Sequence, residues 1–295
     1  MEHILKPTAA AQTDLPRLWE ARRLPEDPAA LADERYHDIV AETYDDWEGT
    51  PWMAHAEAWI VPWMVGHVRG GIAVDLGTGT GRIAQALAET GSVEVIAVDR
   101  SRRMLQAALT KTKGLPVLAL RADAAELPIL DATVDAVTCS GVLHHMEDPR
   151  RAINEVARVL RPGGLFVIRE PNADYPAEWF APLERMAKTA HRRRLASPTT
   201  EKCEVSAPSE HPVSPALLRD WLSTMFVPES IGSAKLLASL SLPVGTRGEH
   251  LYYRLANLAD RACVLRLLRG RGSLVLVVAR RTERMLTHRA TGRRA

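Results

Sequence analysis

Val74-Asp75-Leu76-Gly77-Thr78-Gly79-Thr80-Gly81-Arg82 closes an apolar run that begins at Ile72 and opens a helical pattern carrying Ile83 and Leu87. An apolar strand, an acidic residue, a glycine loop and a helix, in that order, make the turn of a βα unit. Glycine at every second position lets the backbone take positive φ and lets a ligand approach the main chain with no Cβ in the way. The spacing bears on which ligand. A dinucleotide fingerprint requires G-x-G-x-x-G, and its third glycine would fall at position 82, which is Arg82. The loop also lacks the Gly-Lys-Ser/Thr ending of a P-loop.

Outward from this loop the chain alternates strand and helix patterns, as a parallel sheet with crossover helices requires. Strands are expected at 72–76, 93–98, 117–120, 134–139 and 165–169, with another within 228–237 and a last one at 273–279. Helices are expected at 82–90, at 101–110 capped by Ser101, at 149–160, and at 215–224 with Ser214 as N-cap and Pro215 at the first helical position. This predicts an α/β, Rossmann-like fold: a seven-stranded, mostly parallel sheet with helices on both faces and a helical cap. Residues 71–170 form the core and 213–295 its C-terminal part, with a helical insertion at 240–270. Residues 1–70 read as a helical N-terminal cap or lid, and 171–212 as a variable cap insertion. Trp47, Trp52, Trp59 and Trp63 fall roughly on one helical face broken by Pro51 and Pro62. That face either packs on the core or closes a small-molecule pocket.

Composition narrows the function. The 295 residues suffice for one large or two small domains. A formal charge of +2 implies no global electrostatic partner. Cys139, Cys203 and Cys263 are far apart, with no C-x-x-C pair, so neither a disulfide framework nor a metal site is expected. No apolar run is long enough to span a membrane and no signal-peptide pattern opens the chain, so a cytoplasmic protein is expected.

The glycine loop after a strand carrying Asp75 resembles motif I of the class I S-adenosylmethionine (SAM)-dependent methyltransferases. The pattern is most similar to their type 11 group, which includes quinone-biosynthesis and natural-product enzymes. Its F-D-x-x-A-x-x-Y-D opening corresponds to His37-Asp38-Ile39-Val40-Ala41-Glu42-Thr43-Tyr44-Asp45, with His for Phe. Its small residue followed by L-H-H-x-x-D-P corresponds to Gly141-Val142-Leu143-His144-His145-Met146-Glu147-Asp148-Pro149. Glu155-Val156-Ala157-Arg158-Val159-Leu160-Arg161-Pro162-Gly163-Gly164 is the usual lead into the fifth strand.

The resemblance implies SAM as cofactor, S-adenosylhomocysteine as product, and a class I methyltransferase fold. Asp99, ending the second strand, would accept the ribose hydroxyls. Arg100 and Met104 would flank the adenine, and Asp123 with the Ala124 backbone would meet its amino group. Gly77, Thr78, Gly79 and Gly81 would admit the methionine portion, with Asp75 ordering the loop or meeting the ammonium through water. Tyr44 touches the methionine carboxylate or packs, and Ser140 completes the cofactor set. His144, His145 and Glu170 stand where the sheet edge opens on the ligand crevice, as candidate bases or as structural groups. His211 and His250 are weaker candidates.

The fourth strand lacks the Asp/Asn-Pro-Pro-Tyr/Phe motif of amino-methylating nucleic-acid enzymes, and Cys139 lies inside a strand without the Pro-Cys of cytosine-C5 methylation. The expected activity is methyl transfer to O, C or N of a small aromatic or amphipathic metabolite, by a monomer or homodimer. One alternative is non-standard SAM chemistry such as ring closure, with a possible radical partner enzyme. Another is a nucleic-acid-binding methyltransferase using the arginines at 192–194, 266–271 and in the tail.

Overall fold

The computed structural model describes residues 18–21, 24, 25, 27–45, 59–176, 211–234, 255 and 272–283. In chain order these form β1 (Leu18–Glu20), α1 (Pro28–Val40), α2 (Ile60–His67), β2 (Gly71–Leu76), α3 (Arg82–Ala88), β3 (Val93–Asp99), α4 (Arg102–Lys111), β4 (Val117–Arg121), β5 (Val134–Ser140), a 3₁₀ turn (Leu143–His145), α5 (Pro149–Val159), β6 (Leu160–Pro171), α6 (Pro215–Leu222), β7 (Phe226–Ala234) and β8 (Leu274–Arg281).

Local chemistry sets the helix starts. Asp27 accepts from the Ala29 and Ala30 amides, Ser101 from Met104, Asp148 from Arg150 and Ser214 from Leu217. Pro28, Pro149 and Pro215 sit just inside three of these caps, where no amide is missed. In α5 the buried residues Ala152, Ile153, Val156, Ala157 and Val159 recur at helical spacing.

The strands form one sheet in the order β1-β4-β3-β2-β5-β6-β8-β7. Only β8 runs antiparallel, to β6 on one side and β7 on the other. Both faces are covered: Ile60, Met64, Ile83 and Leu87 of α2 and α3 pack on one, and the apolar stripes of α5 and α6 on the other. The central strands are therefore near-continuous apolar runs. Trp59 and Trp63 are partly buried and pack against the core on the α2–α3 side; Trp47 and Trp52 lie outside the described residues.

Four expectations need correction. The sheet has eight strands instead of seven, because Leu18–Glu20 pairs in parallel with β4. Three residues carry no legible alternation, and this strand exists only because β4 offers an open edge. For the same reason 1–70 is not helical throughout. The strand expected at 165–169 is longer, Leu160–Pro171, and the strand expected within 228–237 begins earlier, at Phe226. Most of 171–212 and nearly all of 240–270 lie outside the described residues.

Strand order reverses at β2, which has β3 on one side and β5 on the other. Chains leaving the carboxyl ends of these strands diverge, and a crevice opens between them.

Candidate functional site

A cavity of about 440 Å³ occupies this crevice, within the usual range for small-ligand sites. Its floor is the glycine loop. Asp75 is buried, and its Oδ2 accepts from Thr78 Oγ1 at 2.7 Å while Oδ1 accepts from Thr138 Oγ1 at 2.8 Å. Burial pushes its carboxyl up to about 6, against the pull of these hydrogen bonds. Asp75 thus ties the loop to β5. It does not line the cavity, nor do Thr78 and Gly81.

The glycines have separate causes. At Gly77 (φ +65°) a Cβ would come within 2.2 Å of Val142 Cγ2, and at Gly81 (φ +86°) within 2.8 Å of the Ala108 Cβ. At Gly79 (φ +54°) a Cβ would meet nothing within 4 Å, and this residue lines the cavity. One glycine admits β5's exit loop, one admits α4, and one leaves its main chain open to a ligand.

The side walls come from the ends of β3 and β4. Asp99 Oδ2 accepts from the Gly79 amide and Oδ1 from the Ser101 amide, both at 2.8 Å. Burial raises its pKa, with those two amides and the His37 charge opposing. A carboxylate lined up by two N–H donors keeps lone pairs for a diol. Arg100 lines the cavity, but its guanidinium is engaged by Glu34 at 3.0 Å and by Asp123. Asp123 in turn accepts from the Ala125 amide at 2.7 Å. Met104 is 1% exposed, with its side of α4 at the cavity wall.

Helix α1 crosses the open side, held by polar contacts. Asp38 Oδ1 accepts from Ser101 Oγ at 2.5 Å and from the Arg103 amide at 3.2 Å. Asp45 accepts from Thr80 Oγ1 at 2.7 Å and pairs with Lys111 at 2.9 Å. Glu34 binds Arg121 as well as Arg100. The two aspartates of the His37–Asp45 motif therefore clasp the helix to the glycine loop and α4.

The histidines divide. Glu170, fully buried, accepts from the Val142 and Leu143 amides at 2.9 Å through Oε1, while its Oε2 lies 2.7 Å from His144 Nδ1. Neither Glu170 nor His144 lines the cavity; His145 does. His145 lies against His144 with ring centroids 4.0 Å apart and planes tilted by 40°, and meets His37 edge-on at 5.3 Å. Burial, then the neighbouring His144, pushes His145 down to about 4. Burial also opposes a charge on His37, but Asp33 outweighs it and lifts that imidazole to about 9.

Tyr44, Gly77, Gly79, Asp99, Arg100, Met104, Asp123, Ala124, Ser140 and His145 thus share one cavity wall. His211 donates its amide to the His144 carbonyl at 2.8 Å without reaching the cavity, and His250 lies outside the described residues. Asp33 and His37 line the cavity and were missed as site residues. Their i, i+4 spacing on α1 was the available signal. The open Gly79 main chain, the aligned Asp99 carboxylate and the cavity volume fit an amino acid joined to a nucleoside.

The chain matches the family model described as a methyltransferase domain over residues 74–168. It is 31% identical over 199 residues to a demethylmenaquinone methyltransferase of Renibacterium salmoninarum, covering 67% of this chain and 78% of that one. A second such enzyme, from Clavibacter sepedonicus, is 37% identical over 136 residues, 45% of this chain and 55% of the other. For other curated relatives the chain spans 30–36% of their length. Among solved structures, the N-methyltransferase NodS of Bradyrhizobium japonicum, in complex with S-adenosylhomocysteine, superposes with a TM-score of 0.53 at 13% identity, covering 85% of this chain and all of that one. No helix among the described residues is long and apolar enough to cross a membrane. A glycine loop of this geometry, an aligned carboxylate at the end of β3 and a sequence match over most of a methyltransferase lead to one assignment: the chain belongs to the type 11 class I SAM-dependent methyltransferases, with SAM as its cofactor.

Proposed function

We propose that the protein transfers a methyl group from SAM to an oxygen, carbon or nitrogen of a small aromatic or amphipathic metabolite. The observation that carries this reading is a single cavity whose wall holds both Gly79 with Asp99, the cofactor-side groups, and His145, an imidazole suited to face an acceptor. SAM supplies a methyl group on a sulfonium, so the leaving group is already activated. The protein's contribution is then alignment and exclusion of water. Asp99 holds the ribose diol, Asp123 and Ala124 border the adenine, and Gly77 and Gly79 receive the methionine end beside Tyr44. Glu170 and His144 position the turn that presents His145.

The wall also carries Asp27, Asp33, Glu147 and Asp148. This acidic content disfavours a polyanion and supports a small molecule over nucleic acid. Likeness to demethylmenaquinone methyltransferases supports an aromatic acceptor. Calorimetric titration with SAM and S-adenosylhomocysteine, followed by mass spectrometry of quinol and phenol panels, tests the reading. Micromolar binding of both and a product heavier by one methyl are expected. Binding of neither ligand overturns it.

A further inference from the structure

Asp33 and His37 stand one helical turn apart on α1, and His145 reaches them from the turn after β5. One donor atom from each residue lies within 4.8 Å of the other two. Asp33 Oδ1 is 3.4 Å from His37 Nδ1 and 3.2 Å from His145 Nδ1. An ion bound at the roughly 2.0–2.2 Å usual for imidazole and carboxylate ligands needs its donors about 3–3.5 Å apart. Asp33 Oδ1 and His145 Nδ1 are both buried and approach each other without the geometry of a hydrogen bond. An ion between them would engage both atoms at once. His37 Nδ1 also lies 2.9 Å from the Asp33 carbonyl oxygen, a contact that ligation through this nitrogen would displace.

We propose that Asp33, His37 and His145 form a binding site for one divalent first-row transition cation, of the zinc, cobalt or iron type. Two imidazoles and one carboxylate suit such ions and not magnesium or calcium, which take oxygen-rich sets. All three residues line the cavity, so the remaining coordination positions of a bound ion open towards the acceptor side. The site also bridges α1 to the sheet edge, adding a link to the clasp made by Asp38 and Asp45. Its existence does not depend on which acceptor is methylated.

The test is equilibrium dialysis of the tag-free full-length protein against Co²⁺, with His67→Ala as a control elsewhere among the chain's ten histidines. One Co²⁺ per chain is expected at micromolar concentration, retained in His67→Ala and in excess Mg²⁺. Asp33→Ala and His37→Ala should each weaken it at least tenfold. No stoichiometric Co²⁺, or affinity unchanged in both variants, overturns the proposal. Should either variant fail to melt cooperatively, proton NMR of the Co²⁺-loaded wild type decides instead. Two hyperfine-shifted imidazole N–H signals support the site, and fewer than two overturn it.

Discussion

Asp99 holds the loop and faces the cavity at once, through amide bonds from Gly79 and Ser101. Asp99→Ala should weaken SAM binding by about 1.5–3 kcal/mol, the range for hydrogen bonds to charged groups, or roughly 10- to 150-fold. Calorimetry reads this directly, and an unchanged Kd would remove Asp99 from the ribose. Gly77 and Gly79 make a sharper contrast. Gly77→Ala meets both a positive φ and the Val142 methyl, whereas Gly79→Ala meets only the backbone preference of about 1–2 kcal/mol. Urea unfolding should show the larger loss for Gly77→Ala, partly restored by adding Val142→Ala; equal losses would refute the packing argument. Asp75 gives a pH signature. Its carboxyl ordinarily titrates near 3.8 and stands at about 6 when folded. As pH rises from 4 to 6 the unfolded chain is already ionised while the folded one must ionise a buried group. The wild type therefore loses up to about 3 kcal/mol across that window, a loss that Asp75→Asn lacks. The melting temperature of Asp75→Asn relative to wild type should thus rise between pH 4.5 and 7.5, and a flat difference would contradict the shift.

Among the elements, α5 shows how a family motif can be structural. Arg158 donates to the Leu127 and Ile129 carbonyls at 2.7 Å and pairs with Glu155 and Asp131. Glu155 accepts from the Leu127 amide at 2.9 Å. Together they fold the segment leading into β5, and none of Leu127, Ile129, Asp131, Glu155 and Arg158 lines the cavity. Arg158→Met should leave those acceptors short of donors and cost about 2–3 kcal/mol, seen as a lower urea midpoint with SAM affinity unchanged. A parallel loss of SAM binding would mean the segment feeds the site. Elements whose signal is local were legible in sequence: the capped helices over 101–110 and 149–160, and the apolar central strands. β1 was not, because an edge strand of three residues is made by its partner. The proposed cofactor groups Asp99, Gly79 and Asp123 could be read from one turn each. Asp33 and His37 offered only their i, i+4 spacing, since their role arises when α1 crosses the sheet edge. The division between His144 and His145 likewise rests on Glu170, 26 residues away from His144 in sequence.

Across the whole molecule, stability and access to the cavity are carried by different forces. The sheet buries apolar strands on both faces, and such interiors open only on global unfolding. Helix α1 has no buried residue at all. It is kept in place by Asp38, Glu34 and Asp45 through hydrogen bonds and ion pairs to α4, β4 and the glycine loop. A helix attached by polar contacts opens at a small fraction of the global unfolding cost. A ligand that bridges the cavity between Asp99 and α1 adds its binding free energy to the closed form alone. Hydrogen exchange should therefore be fast over Pro28–Val40 and slow over β2, β3 and β5 in the free protein. Saturating SAM should slow exchange in α1 by at least tenfold and leave the central strands nearly unaffected. Asp38→Ala should raise α1 exchange in the free state and weaken SAM binding, with little change in the urea midpoint. If SAM binds without slowing α1, the helix is fixed wall and not a closing element, and water exclusion would then fall to other segments of the chain.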